Sequence, residues 1–280
     1  RLESVGGNQA MLVDFDVDIS NVDLETVTSI SLGDADGFKI LGEAGADNLG
    51  GQVSAAGDVN GDGFEDIIIA QRDGGGYTAE EVYVVFGSGA ETVSVDLGSL
   101  SGAGFKITTE TPYSYATAVS DAGDVNGDGF ADIIIGTKNG LSYGVGYTGA
   151  AYVVFGSSSP STLIDLSDVA GGTGGFKING EVVGDEAGYS VSGAGDVNGD
   201  GIDDVVIGAQ RNDGGGAESG AAYVVFGTTA PPTSFSLVDI AAGFGGFKIT
   251  GEFDGDYAGR SVSAAGDVNG DGIADIIVGS

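Results

Sequence analysis

The chain has 280 residues, with 42 Asp and Glu against 9 Lys and Arg for a formal net charge of −33, and it contains no Cys, His or Trp. That composition excludes a disulfide scaffold, a zinc or haem site built on Cys or His, and any catalytic triad that needs an imidazole. So negative a surface also argues against nucleic acid as a partner, because phosphates would meet their own sign. Hydrophobic residues nevertheless make up 41% and mean hydropathy is +0.15, so the chain is no disordered acidic tail. Its length suits one large or two ordinary domains with ample core. No apolar run approaches the roughly 20 residues of a membrane span. It opens at Arg1 without a visible signal peptide, which reads as a mature or excised fragment.

In chain order the first strand candidates are Ala10-Met11-Leu12-Val13 and Phe38-Lys39-Ile40. From there a pattern repeats. Phe-Lys-Ile returns at Phe105, Phe176 and Phe247, and a Glu follows each Phe by five residues, at Glu43, Glu110, Glu181 and Glu252. Nineteen or twenty residues after each Phe stands Gly-Asp-Val-Asn-Gly-Asp-Gly, whose first Asp is Asp58, Asp124, Asp196 or Asp267. A run of small residues precedes it, as in Ser190-Val191-Ser192-Gly193-Ala194, which suits an inner strand where backbones crowd together. A β-branched run follows it: Ile67–Ile69, Ile133–Ile135, Val205–Ile207 and Ile276–Val278. Such uninterrupted apolar strands are expected to be buried on both faces. A Tyr-Val-Val-Phe-Gly strand comes next at Tyr83, Tyr152 and Tyr223.

Four short strands per unit and no helical period predict an all-β fold, a β-propeller of four-stranded blades. Its units cover about 38–104, 105–175 and 176–246, with 247–280 completed by 8–37, in a single domain over 1–280.

Each motif reads Asp-x-Asn-x-Asp-Gly-x-x-Asp. The side-chain oxygens are Asp58, Asn60, Asp62 and Asp66; Asp124, Asn126, Asp128 and Asp132; Asp196, Asn198, Asp200 and Asp204; and Asp267, Asn269, Asp271 and Asp275. The seventh residue, Phe64, Phe130, Ile202 or Ile273, can give only its backbone carbonyl. Three carboxylates, an amide oxygen and a carbonyl make a hard oxygen cage suited to Ca²⁺ ahead of Mg²⁺. An EF-hand would need Glu at position twelve and flanking helices, whereas Ile69, Ile135, Ile207 and Val278 stand there, inside a strand. Asx-turns alone would leave three carboxylates repelling one another.

With the following Ile-Ile-Gly and Gly-Ala-Ala-Tyr-Val-Val-Phe-Gly strands, these motifs resemble the FG-GAP repeats of integrin α-subunit head propellers and, still more closely, of bacterial secreted proteins. The resemblance covers roughly residues 30–280. It implies four structural calcium sites in the loops joining the first two strands of each blade, with the ligands just named. It departs in number, since the integrin-like propeller has seven blades and this chain has four units.

The C-terminus supplies two strands of its last unit, and Ala10–Val13 with Phe38–Ile40 supplies a candidate for the other two. The expectation is a blade closed two-plus-two by the termini. The same complementarity between chains would give a larger ring or a filament, and the chain also reads as a piece of a longer, seven-bladed protein.

Twelve of the 42 acids are motif aspartates, so four Ca²⁺ would leave a net charge of about −25. Such a surface fits a salty or calcium-rich medium, and calcium takes the stapling part that disulfides have in many secreted proteins. Lys39, Lys106, Lys177 and Lys248 recur with Phe-Lys-Ile, which suggests carboxylate pairing within a blade. The second unit breaks the repeat, with Tyr113 and Ala116 where the others carry Asp and Gly. Tyr113, Tyr115, Lys138, Tyr143 and Tyr147 are therefore candidate ligand contacts on the rim opposite the calcium loops, suited to a glycan or peptide.

No acid stands out as catalytic, because most recur; Glu80, Glu81 and Glu218 are the less regular ones. The reading is an extracellular, calcium-binding adhesion or ligand-binding module and not an enzyme. Its partners would be a protein or glycan ligand, or copies of itself. The alternative is a self-assembling structural protein that forms filaments or a surface layer, and a glycoside-acting enzyme comes last.

Overall fold

The computed structural model describes residues 2–4, 9–13, 37–43, 49–71, 81–89, 94–110, 114–139 and 148–280. Three full blades stand in a row. Blade I is built from β4 (Leu49–Gly57), β5 (Asp66–Gln71), β6 (Glu81–Val85) and β8 (Gly104–Thr108). Blade II has β9 (Ser114–Gly123), β10 (Asp132–Asn139), β11 (Ala150–Val154) and β13 (Gly175–Asn179). Blade III has β14 (Ala187–Gly195), β15 (Asp204–Ala209), β16 (Ala221–Val225) and β18 (Gly246–Thr250). Within each, neighbouring strands run antiparallel. A two-stranded sheet, β19 (Ser261–Gly266) with β20 (Asp275–Gly279), follows blade III. The small-residue strands β4, β9, β14 and β19 pack in succession along the inner side. Small residues are required there: a Cβ on Gly193 of β14 would lie 3.0 Å from the Asp121 carbonyl oxygen of β9 in the preceding blade.

Side chains alternate between the two faces of a strand, and here both faces are core. Ile68, Val82 and Val84 of blade I meet Ile133, Ile135 and Tyr152 of blade II in one cluster. Ile134 and Val153 of blade II meet Val205, Ile207 and Tyr223 of blade III in the next. The β-branched runs are unbroken because each residue serves one inter-blade layer or the other.

Every blade that has a successor also gains an outer strand that the four-strand pattern does not foresee. The chain leaves its third strand, lays a short parallel strand on the preceding sheet, turns through a short helix and returns. β7 (Ser94–Asp96) thus pairs with β3 (Gly37–Leu41), β12 (Leu163–Asp165) with β8, and β17 (Ser234–Ser236) with β13. The helices α1 (Leu166–Ala170) and α2 (Leu237–Ala241) and a 3-10 turn at Leu97–Ser99 follow. Asp165, Ser236 and Asp96 cap them by accepting a backbone N–H two residues on. Leu166 and Val169, and Leu237 and Ile240, are buried against the blades.

The expected two-plus-two closure is not what pairs. β2 (Gln9–Val13) lies between β3 and β1 (Leu2–Ser4), and Glu3 stands opposite Met11, where closure would place Val278. Only four residues separate β1 from β2, so a local hairpin forms at far lower loop-closure cost than a pairing across the length of the chain. The N-terminal strands therefore make a sheet of their own, packed on blade I through Ile40, Ile69 and Tyr83.

The far end of the row is more open. Ile277 is 60% exposed, whereas its counterparts Ile68, Ile134 and Val206 are fully buried. Phe247 in β18 is 40% exposed, whereas Phe176 in β13 is 3% exposed under the outer-strand residue Phe235. Ile134→Ala is expected to cost about 2–5 kcal/mol in urea unfolding, and Ile277→Ala within about 0.5 kcal/mol of none. Equal costs would contradict the layer arrangement.

Candidate metal centres

The loops between the first two strands of each blade share one hydrogen-bond pattern. In the first, Asp58 Oδ1 accepts from the N–H groups of Gly61 and Asp62 at 2.7 and 3.0 Å, and Oδ2 from Gly63 at 2.8 Å. Asn60 Oδ1 accepts from Asp62 N–H, and Asp62 Oδ1 from Phe64 N–H. Asp66 is buried and accepts from Val59 N–H at 3.0 Å and Gly87 N–H at 2.9 Å, which ties the loop to the end of β6. The loop at Asp196 repeats these contacts, and those at Asp124 and Asp267 repeat nearly all of them. Glycine is needed at the turn, where Gly63 has φ 90°.

Among the described residues no group of three carboxylates is already drawn together as a cation cage. The donor set nonetheless fits a hard cation. A carboxylate offers about four acceptor sites; Asp58 uses three on backbone N–H groups, and Asp66 uses two. Each side-chain ligand oxygen set keeps capacity for an ion.

Burial, reinforced by the neighbouring loop carboxylates, pushes Asp66 and Asp204 up to about 6 and Asp132 to about 8. Backbone N–H groups around the exposed Asp267 hold its carboxyl below the ordinary range. The closing aspartate is thus the one whose negative charge is costly, and a cation is what would relieve it.

The loops are also joined to one another. Ala131 N–H donates to the Asp58 carbonyl at 3.2 Å, Asp203 N–H to the Asp124 carbonyl at 3.3 Å, and Ala274 N–H to the Asp196 carbonyl at 3.1 Å. Ser157 and Thr228 N–H groups donate to the Val59 and Val125 carbonyls.

The opposite rim has its own repeated cluster. Glu110, in the connection out of blade I, meets Lys177 Nζ at 2.6 Å and the Tyr152 hydroxyl, both in blade II. Glu181 likewise meets Lys248 at 2.7 Å and the Tyr223 hydroxyl in blade III. Lys106 pairs with Glu43 at 3.1 Å and with Glu81 at 2.5 Å. Among the described residues the lysines therefore pair chiefly between blades, and only Lys106–Glu81 lies within one. The reason is geometric: the loop that carries each Glu leads into the next blade. Burial opposes ionisation of Glu110 and Glu181, but the lysine and tyrosine donors outweigh it and hold both carboxyls below the ordinary value. Burial and the adjacent carboxylates raise the Tyr83 and Tyr223 hydroxyls, so both stay protonated donors.

Beside Glu181 a cavity of about 320 Å³ opens, lined by Asp185, Arg211, Asn212, Glu218 and Lys248 among others. No local sequence signal marks it, since its members are scattered over two connections and β18. Of the expected ligand contacts, Tyr113, Tyr143 and Tyr147 lie outside the described residues. Tyr115 and Lys138 stand opposite each other across the β9–β10 pair. Glu81 is held by Lys106 and the Tyr83 hydroxyl, and Glu218 by the Tyr257 hydroxyl at 2.6 Å; Glu80 is outside the described residues.

Residues 50–85, 116–154, 187–225 and 258–280 match the model of the FG-GAP repeat. The chain carries four FG-GAP repeats. The first three FG-GAP segments span the first three strands of blades I to III, and the fourth spans β19 and β20. The chain is 29% identical over 244 residues to integrin alpha pat-2 of Caenorhabditis elegans, covering 82% of this chain and 18% of that protein. It is 28% identical over 226 residues to phosphatidylinositol-glycan-specific phospholipase D of Dictyostelium discoideum, 75% of this chain and 22% of that protein. With the bovine phospholipase D the figures are 30% over 191 residues, 61% and 20%. The FG-GAP chain thus spans about a fifth of the length of these curated relatives.

Glu181→Gln is expected to cost about 1.5–3 kcal/mol, the worth of a charge-assisted hydrogen bond. Glu252→Gln, at the exposed counterpart with no bond among the described residues, should change stability by less than about 0.5 kcal/mol in the same urea titration. A carboxyl with a raised folded-state pKa binds protons more tightly in the folded chain. Stability with a chelator present should therefore fall as pH climbs from the ordinary 3.8 through about 6 and about 8. The lowered Glu110 and Glu181 act oppositely, and their contribution is lost as pH drops below the ordinary 4.5. Thermal melts in chelator between pH 5 and 8.5 check the first slope; a rise over that range would contradict it.

Proposed function

We propose that this FG-GAP propeller is a binding module that works outside the cell, with Ca²⁺ as a structural ion in each of its four loops. The observation that carries the reading is the recurrence of one oxygen-lined turn at Asp58, Asp124, Asp196 and Asp267, with matching hydrogen bonds each time. Bound calcium would neutralise the clustered carboxylates and brace each strand-to-strand turn. Extracellular calcium modules typically bind at about 10⁻⁴–10⁻³ M, a concentration range that keeps such loops filled outside cells.

Adhesion or ligand binding, and not catalysis, fits the side chains best. Glu81 and Glu218 are committed to neighbours across strands or blades. The activity named for the phospholipase D relatives belongs to proteins of which this chain matches about a fifth. The integrin alpha relatives support a protein ligand. The candidate surface is the rim opposite the calcium loops, where Tyr115 and Lys138 stand opposite each other, with Tyr113, Tyr143 and Tyr147 as further candidate contacts to a protein or glycan. No helix among the described residues is long and apolar enough to cross a membrane.

A second reading, self-assembly into filaments or a surface layer, is favoured by the exposed apolar side chains of Ile277 on the last sheet and Val268 in the loop that joins its two strands.

Calcium titration by calorimetry should give four ions per chain, and a chelator should lower the melting temperature sharply, with calcium restoring it. A melt indifferent to both, with no heat of binding, would sink the calcium reading. Light scattering across a concentration series separates the two assembly states.

A further inference from the structure

At each described junction between blades, one peptide unit serves two loops. Its carbonyl end belongs to Phe130, Ile202 or Ile273, whose oxygen is assigned to that loop's own ion. Its N–H end belongs to Ala131, Asp203 or Ala274 and donates to the carbonyl of Asp58, Asp124 or Asp196, the first ligand residue of the preceding loop. All these peptides are trans, and a planar trans peptide points its C=O and N–H in opposite directions. Holding the carbonyl on an ion therefore aims the N–H at the loop before. Side chains reinforce the link. The Phe130 ring packs on Gly61, so closely that an added Cβ there would lie 2.5 Å from it. Asp203 Oδ2 accepts from Asp124 N–H at 2.9 Å.

We propose that the four loops take up calcium as a coupled row and not as independent sites, each filled loop making its neighbours easier to fill. The proposal rests on the calcium reading above. Two effects act in the same direction. A cation on the carbonyl polarises the peptide and makes its N–H a stronger donor. An ordered loop also holds part of its neighbour's backbone in place, so the neighbour surrenders less freedom on binding. Although each hydrogen bond has a direction, linkage makes the coupling mutual. Couplings of this kind amount to about fivefold or more in affinity, and an inner loop is linked on both sides.

Calcium titration of the intact chain tests this, with circular dichroism at saturating calcium as the fold control. Three variants are compared with the unaltered protein: Phe130→Ala, Asp203→Ala and Asp203→Asn. None removes a ligand oxygen, because Phe130 contributes only its carbonyl and Asp203 contributes nothing to the cage. The unaltered chain is expected to bind four ions with a Hill coefficient above one. Phe130→Ala and Asp203→Ala should still bind four, with a coefficient closer to one and a half-saturating concentration raised by up to about fivefold. Asp203→Asn keeps an acceptor for Asp124 N–H and should retain the steepness, which separates the hydrogen bond from the lost charge. Four non-cooperative sites in the unaltered chain would overturn the coupling while leaving calcium binding intact. Absence of uptake in every protein would overturn the calcium reading itself, and the coupling with it.

Discussion

Among the described residues no sheet has a core of its own; stability resides in the apolar layers between sheets. Each central strand sends alternate side chains into two such layers, so Ile134 faces blade III while Ile133 and Ile135 face blade I. A single blade cannot bury its apolar faces alone, and it becomes stable by being flanked. This explains the gradient of burial along the row, from complete at Ile134 to slight at Ile277, where no further sheet among the described residues lies against it.

Polar contacts then edge the layers between blades I and II and between blades II and III on both rims. On one side, successive metal-type loops are hydrogen-bonded to one another through Ala131, Asp203 and Ala274. On the other, a glutamate from the outgoing connection is held by the lysine and tyrosine of the next blade. The apolar layer supplies most of the free energy, while the rim contacts fix how far one sheet is rotated against its neighbour. Chemistry follows the same division. Residues that recur from junction to junction maintain spacing, and the cavity beside Glu181 sets the less regular Arg211 and Glu218 next to one such recurring pair, Glu181 with Lys248.

Much of this was legible beforehand. The recurrence of Asp58, Asp124, Asp196 and Asp267 marks the loops, and the β-branched runs mark strands buried on both faces; both signals are local. What escaped depends on contacts between units. The Glu–Lys pairs looked intra-blade because spacing along the chain carries no information about which sheet a connection crosses to. The outer strands and helical turns left a faint trace, Asp96-Leu97, Asp165-Leu166 and Ser236-Leu237, a capping residue followed by a leucine. At five residues or fewer, they are too short for a helical period to register. Strand count alone predicts closure by the termini, because it carries no information about the competing hairpin that places Glu3 opposite Met11.

The outer strands put sequence and architecture out of phase. Between its third and fourth strands, each of the three full repeats lends three residues to the sheet before it, as Leu163–Asp165 do for β8. A cut at any repeat boundary would therefore leave one sheet short of its margin and leave another segment without the sheet it clasps. Shuffling or grafting such a unit would succeed only if the junction were moved past the clasp, so the module that evolution or an engineer can exchange is longer than the one that the pattern of residues displays.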